Sequence, residues 1–269
     1  MKKLFRMSDL SPLSYYLGIE VKQGRRGIEP RQSAYAIKLL DKAGMGRCNA
    51  CSTPMEVRPK LSKSGTSPVV DATLYRSLIG SLPYLLHTRP ELSFAVGYLS
   101  RFMEEPRSEH MKAMKMILWY IKGTFDHGLF YTNDGGKLDF VGYSDSDMAG
   151  DVDGRKSTTG VIFFLGGNPV TWLSQKQRMV ALSSCAKVSA PKLKMDNQSA
   201  IALSKNPVLH DRSKHIDTKF HFIRECAEKG DINIEFAGTH DQLADILTKS
   251  LGMKAFQGLR ERIGVIKLT

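Results

Sequence analysis

Cysteine is scarce in this chain, acid is outnumbered by base, and long apolar runs are missing. The four cysteines, Cys48, Cys51, Cys185 and Cys226, are too few to staple 269 residues, which excludes a disulfide scaffold. Cys48 and Cys51 form a single CxxC, but no second cysteine pair and no nearby histidine completes a zinc site, so reduced thiols are expected. No apolar run approaches the roughly 18 residues of a membrane span. The N-terminal Met-Lys-Lys-Leu-Phe-Arg-Met-Ser-Asp breaks its apolar residues with charge, unlike a signal peptide. These absences predict an intracellular, soluble protein of cytoplasm or nucleus, neither secreted nor membrane-bound. They leave its oligomeric state open.

The shortage of acid has a direction. Against 39 Lys and Arg stand 27 Asp and Glu, a net charge of +12. A surplus of this size points to a polyanionic partner, nucleic acid first, although solubility alone is an alternative. An apolar share of 42% is enough for a core, and the length suits one large or two modest domains.

Periodicity divides the chain. Residues 14–21 are aromatic and β-branched and predict a strand, with Gly24 and Gly27 flanking the turn of a hairpin. Ala34, Ile37, Leu40 and Ala43 are spaced for a helix over 33–44 that Gly44 stops. Residues 52–73, rich in Ser, Pro, Thr and Lys, predict a loop. Three helices follow: 74–87, kinked or broken by Pro83; 90–103, opened by Pro90 and Glu91; and 108–122, capped by Ser108 with a Met111, Met114, Leu118 and Ile121 stripe. From Lys137 the period changes. Strands are expected at 138–145, 158–165 and 169–175, with Gly166-Gly167 turning the second into the third. A fourth strand (191–196), helices at 198–204 and 214–229, a fifth strand (232–236) and a last helix from about His240 complete a mixed α/β sheet.

Asp145 and Asp196 end two of these strands, and Asp245 sits on the last helical run. Carboxylates gathered at strand ends can hold divalent cations, and two Mg²⁺ roughly 4 Å apart clamp the attacking and leaving oxygens of a phosphodiester. A lone Asp at a strand end also serves as a turn or helix cap. Asp147 is close in sequence but is set aside as facing the opposite side of the strand.

Several blocks then resemble a known family. Tyr-Tyr-Leu-Gly-Ile-Glu-Val (15–21), Ser-Thr-Pro-Met-Glu (52–56), Tyr-Arg-Ser-Leu-Ile-Gly-Ser-Leu (75–82) and His-Thr-Arg-Pro-Glu-Leu (87–92) resemble the end of the reverse transcriptase in the Pol polyprotein of copia-type LTR retrotransposons. Gly-Tyr-Ser-Asp-Ser-Asp (142–147), Arg-Lys-Ser-Thr-Thr-Gly (155–160), Asp-Asn-Gln-Ser-Ala (196–200) and Gln-Leu-Ala-Asp-Ile-Leu-Thr-Lys (242–249) resemble its ribonuclease H. The resemblance implies a reverse-transcriptase remnant over 1–136 (palm end, thumb and connection, mainly α), a ribonuclease H-like α/β domain over 137–251, and a tail over 252–269. It implies Mg²⁺- or Mn²⁺-dependent cleavage of RNA in RNA–DNA hybrids, with Asp145, Asp196 and Asp245 as catalytic and metal-binding acids. It implies at most a loose product-release role for His240. The hybrid-binding candidates are Lys176, Arg178, Lys205, Arg212, Lys214 and Lys219; each can equally be part of a solvated face.

Two departures qualify this. The family's Tyr-x-Asp-Asp polymerase motif does not occur in 1–136, so no polymerase site is expected. After Ser183-Ser184-Cys185 the family carries a long helix with a metal-binding Glu; here Val188 holds that register and cannot ligate a cation. Only 186–190 separate Cys185 from the fourth strand, whereas a parallel crossover needs about a dozen residues. The expected sheet therefore lacks its crossover helix. The reading is a ribonuclease H-like protein with an internal deletion and little or no activity; the alternatives are a non-catalytic nucleic-acid-binding remnant and a poorly folded pseudogene product.

Overall fold

The computed structural model describes residues 12–133, 138–147, 150–177, 192–196 and 233–268. The helices expected at 198–204 and 214–229, Cys185, Val188, Cys226, and Arg178, Lys205, Arg212, Lys214 and Lys219 lie outside them. Among the described residues the protein is mixed α/β, with two sheets.

The first sheet starts with two hairpins. Strands β1 (Tyr15–Tyr16) and β2 (Ile19–Gly24) pair antiparallel, Tyr16 opposite Ile19. The single strand expected over 14–21 is thus folded in two. Leu17 (φ 46°) and Gly18 (φ 80°) both adopt left-handed backbone at the turn. Only Gly18 signals this, since a left-handed leucine is uncommon. Strand β3 (Gly27–Arg31) returns along β2 with Gly24 opposite Gly27, as the glycine spacing predicts.

Helix α1 (Ser33–Lys42) buries Ala36, Leu39 and Leu40, and Gly44 takes a left-handed φ just past its end. The loop then runs to α2 (Ala72–Ile79), where Asp71 accepts hydrogen bonds from the N–H groups of Thr73 and Leu74. Pro83 divides the expected 74–87 helix, opening the separate α3 (Leu82–Leu85). A 3-10 turn (Pro90–Leu92) leads into α4 (Ser93–Leu99). Helix α5 (Ser108–Gly123) buries Met114, Leu118 and Ile121. Its cap is not Ser108: Arg107 is the N-cap, and its N–H donates to His110 Nδ1 at 3.0 Å.

Among its described residues the N-terminal region, expected to be mainly α, is built of these five helices together with five short strands. Strands β4 (His127–Leu129) and β5 (Tyr131–Thr132) both pair with β3 but are too short to show a period. Residues 252–269, read as a tail, contain a helix (Met253–Arg262, α6) and strand β11 (Val265–Lys267). Strand β11 runs antiparallel to β4, so the end of the chain completes the first sheet.

The second sheet has the order β10-β9-β6-β7-β8. Strands β6 (Phe140–Ser146), β7 (Thr158–Leu165) and β8 (Asn168–Lys176) form an antiparallel meander turned by Gly166 and Gly167, both at positive φ. Strand β9 (Lys192–Met195) lies parallel to β6, and β10 (Asn233–Phe236) parallel to β9.

The two sheets share one core, in which Leu92 and Phe94 join Ile162, Phe164, Ala244 and Leu247. Trp172 Nε1 on β8 donates to the Leu86 carbonyl at 3.1 Å. Arg101 reaches across to Asp151 at 3.2 Å and donates to Thr158 Oγ1 at 2.9 Å. Deepest in this seam, Arg89 and Glu91 are each 1% exposed and form an ion pair at 2.6 Å. Arg89 also donates to the Thr124 carbonyl and hydroxyl at 2.8 and 2.7 Å, and Tyr120 donates to Glu91 at 3.3 Å. Removing one member of such a pair strands the other without water. Arg89→Met is expected to cost about 3–5 kcal/mol in urea unfolding. A loss below about 1 kcal/mol, the range of exposed pairs, would remove this pair as an anchor.

Candidate metal centre

Three chain segments deliver the acids. Asp145 is the penultimate residue of β6, opposite Gly160 of β7. Asp196 follows the last residue of β9. Asp245 lies on a 3-10 helix, Leu243–Leu247. The parallel register of β6 and β9 brings the first two together, with Tyr143 opposite Lys194.

The third acid is placed by its turn, which is not the α-helix expected from His240. Residues Thr239–Asp241 and Leu243–Leu247 are two short 3-10 segments separated by Gln242. Gln242 is fully buried; its Nε2 donates to the Ser144 carbonyl at 3.0 Å and its Oε1 accepts from the Ala244 N–H at 3.2 Å. That side chain caps the turn and fastens it to β6 one residue before Asp145. On the other side the turn sits against Gly160, where a Cβ would come within 2.8 Å of Leu247 Cβ and 2.9 Å of the Ala244 carbonyl oxygen. Only glycine lets the turn approach so closely.

One carboxylate oxygen from each of Asp145, Asp196 and Asp245 lies within 4.8 Å of the others. Asp145 and Asp245 are buried, 8% and 6% exposed. Thr248 Oγ1 donates to Asp145 Oδ2. Lys249 Nζ stands 2.8 Å from Asp245 Oδ1 and 3.7 Å from Asp145 Oδ2.

Burial first, and crowding second, raise the proton affinities of Asp245 and Asp196. Burial, with repulsion from Asp145 added, pushes the Asp245 carboxyl up to about 7 against the opposing pull of Lys249. Burial and then the Asp145 charge also raise Asp196. Burial works against the Lys249 charge, but Asp145, Asp245 and Asp196 outweigh it and hold its pKa above the ordinary value. An all-carboxylate donor set of this spacing fits a hard divalent cation, which would restore full ionisation of the acids.

Asp147 corrects another expectation. The strand stops one residue short of Asp147, so alternation does not fix its direction, and it lies close enough to Asp145 to feel its charge. Burial raises its carboxyl, with Asp145 adding repulsion. It stands outside the triad because β6 ends at Ser146 and its Oδ1 accepts from the Thr158 N–H. His240 is exposed; its carbonyl accepts from Arg262 at 2.8 Å. Lys176 pairs with buried Asp151 at 2.6 Å, so part of its charge is committed inside the protein. Reasoning from sequence missed Gln242, Thr248 and Lys249 as parts of the centre, although all three stand in the 242–249 block. The four-residue spacing of Asp245 and Lys249 was the available signal.

Comparison with known proteins decides the descent. The chain is 38% identical over its whole length to the retrovirus-related Pol polyprotein from transposon RE2, and 39% identical, again over its whole length, to that from transposon RE1, both of Arabidopsis thaliana. Over 98% of its length it is 34% identical to the corresponding polyprotein from transposon TNT 1-94 of Nicotiana tabacum. The chain belongs to the Pol polyprotein family of copia-type retrotransposons. Residues 1–57 also match a family described as reverse transcriptase (RNA-dependent DNA polymerase). The chain spans about a fifth of the RE1 and RE2 polyproteins and 22% of the TNT 1-94 polyprotein. No solved structure matches it. The RE2 alignment runs over 294 positions against the 269 residues of the chain, leaving at least 25 positions of the relative without a counterpart here. No helix among the described residues is long and apolar enough to cross a membrane.

Two outcomes test this geometry. Gly160→Ala is expected to lower stability in urea by about 1–3 kcal/mol, since the added methyl must push the Asp245 turn off β7; an unchanged midpoint would mean the turn is not seated there. The second is a pH dependence. Unfolded, Asp245 titrates near 3.9, and folded at about 7. Between these values the folded protein holds the extra proton, so stability falls as pH rises through the window and the loss is complete above it. Asp245→Asn is expected to remove part of that decline in urea unfolding between about pH 4.5 and about pH 7.5. An equal decline in the variant would show that Asp245 is not the raised group.

Proposed function

We propose that this protein is a degenerate ribonuclease H joined to the end of a reverse transcriptase, binding RNA–DNA hybrid without cutting it efficiently. The observation that carries the reading is the meeting of Asp145, Asp196 and Asp245 at one end of a sheet ordered β10-β9-β6-β7-β8, with β9 parallel to β6. That arrangement suits a ribonuclease H-like fold. Mg²⁺ or Mn²⁺ held by the three acids would activate the attacking water and stabilise the leaving oxygen.

The chain's own residues would do the rest. Asp145 and Asp245, fixed by Thr248 and Gln242, present rigid oxygens to the ion. Asp196 presents a third from the end of β9. The register of Val188 offers no fourth oxygen. The shortfall of at least 25 positions against the RE2 polyprotein supports an internal deletion, which we assign to the stretch around 186–190. A missing carboxylate leaves transition-state charge uncompensated, typically a loss of orders of magnitude in rate. Phosphate contacts depend on many separate bases, and the net charge of +12 supports their survival.

The test is a labelled RNA–DNA hybrid incubated with purified protein and Mg²⁺ or Mn²⁺. Expected are saturable binding that weakens as salt rises and no cleavage above an Asp145→Asn control. Cleavage that Asp145→Asn abolishes would overturn the loss of activity. Binding indifferent to salt would overturn the phosphate-contact surface.

A further inference from the structure

Lys249 is the one basic side chain paired with two acids of the triad among the described ion pairs, and the ribonuclease H reading gives it no task. Its ammonium contacts Asp245 at 2.8 Å and lies 3.7 Å from Asp145. It stands where the charge of the three carboxylates converges.

We propose that Lys249 is a tethered counter-cation, whose ammonium takes the place of a divalent ion among Asp145, Asp196 and Asp245 and must be expelled before metal enters. The inference rests on the reading of these acids as a metal centre, and goes beyond it by naming what competes for them. The competition follows from charge and size. An ammonium donates up to three hydrogen bonds to the same oxygens that a hard cation needs. Mg²⁺ would draw those oxygens to about 2.1 Å, and two cations sharing the Asp245 oxygen repel.

The side chain can leave. It is 39% exposed, and its stem is four flexible carbons. Asp145 stays behind, held by Thr248. The lost fourth carboxylate tips the balance further. A divalent ion gains more from each added negative oxygen than a single ammonium does, so removing one favours the lysine.

Two measurements decide it. Mn²⁺ binding by calorimetry, with free Mn²⁺ counted by electron paramagnetic resonance, compares the wild type with Lys249→Met. The variant is expected to bind at least about tenfold more tightly. Equal or weaker binding by the variant, while the wild type binds, overturns the role of Lys249 and leaves the metal centre standing. No binding by either overturns both. Should Lys249→Met fail to fold, acetylation of the wild type followed by mass spectrometry decides the point. Lys249 is expected to label faster with saturating Mn²⁺ than in its absence, because the ammonium is released to solvent. Unchanged labelling of Lys249 with Mn²⁺ bound overturns the proposal.

Discussion

The buried pair of Arg89 and Glu91 is the constraint from which the rest of the molecule hangs. Two charges with almost no access to water are held by their own pairing and by the hydrogen bonds that Arg89 donates to Thr124. Filling those of Arg89 fixes the C-terminal end of α5 through Thr124. Tyr120 of α5 contacts Glu91 and accepts at 3.5 Å from Arg260, which ties in α6. The turn bearing Glu91 packs against the turn bearing Asp245. The buried ion pair in the N-terminal region thereby packs against the turn that carries a carboxylate of the candidate centre.

The acids of the candidate centre show the opposite economy. They are brought together away from water, so burial and then repulsion raise the proton affinity of Asp245 and Asp196. A stable core tolerates this because the acids are mounted on stiff parts: two strand ends and a turn clamped by Gln242 and Gly160. Strain of this kind is usual where a protein is shaped for a ligand.

Much of this was legible in the sequence. The Gly24–Gly27 and Gly166-Gly167 turns, the break at Pro83, and the strands 158–165 and 191–196 were readable because glycine, proline and alternation act locally. The Leu17-Gly18 turn was not, since nothing about a leucine announces a left-handed backbone. The 3-10 form of the Asp245 turn was not readable either, because its cause is tertiary: Gln242 is held by a carbonyl 98 residues away. Strand β11 is three residues long and owes its conformation to β4. The three acids were found because chemistry restricts residue type more tightly than geometry does. Lys249 was passed over because a lysine on a presumed helix face is ordinarily a solvated one.

The return of β11 to β4 orders events in time. Lys267 pairs with His127, and Val265 with Leu129. During synthesis the edge of β4 therefore waits for well over a hundred further residues to leave the ribosome. At roughly 5–20 residues per second that wait lasts many seconds. Until then the nascent first sheet presents unpaired N–H and C=O groups, the surface on which strands of neighbouring chains can dock. Strand β11 then covers β4 and becomes the edge of the sheet itself, only three residues long, and a short edge offers little for another strand to pair with.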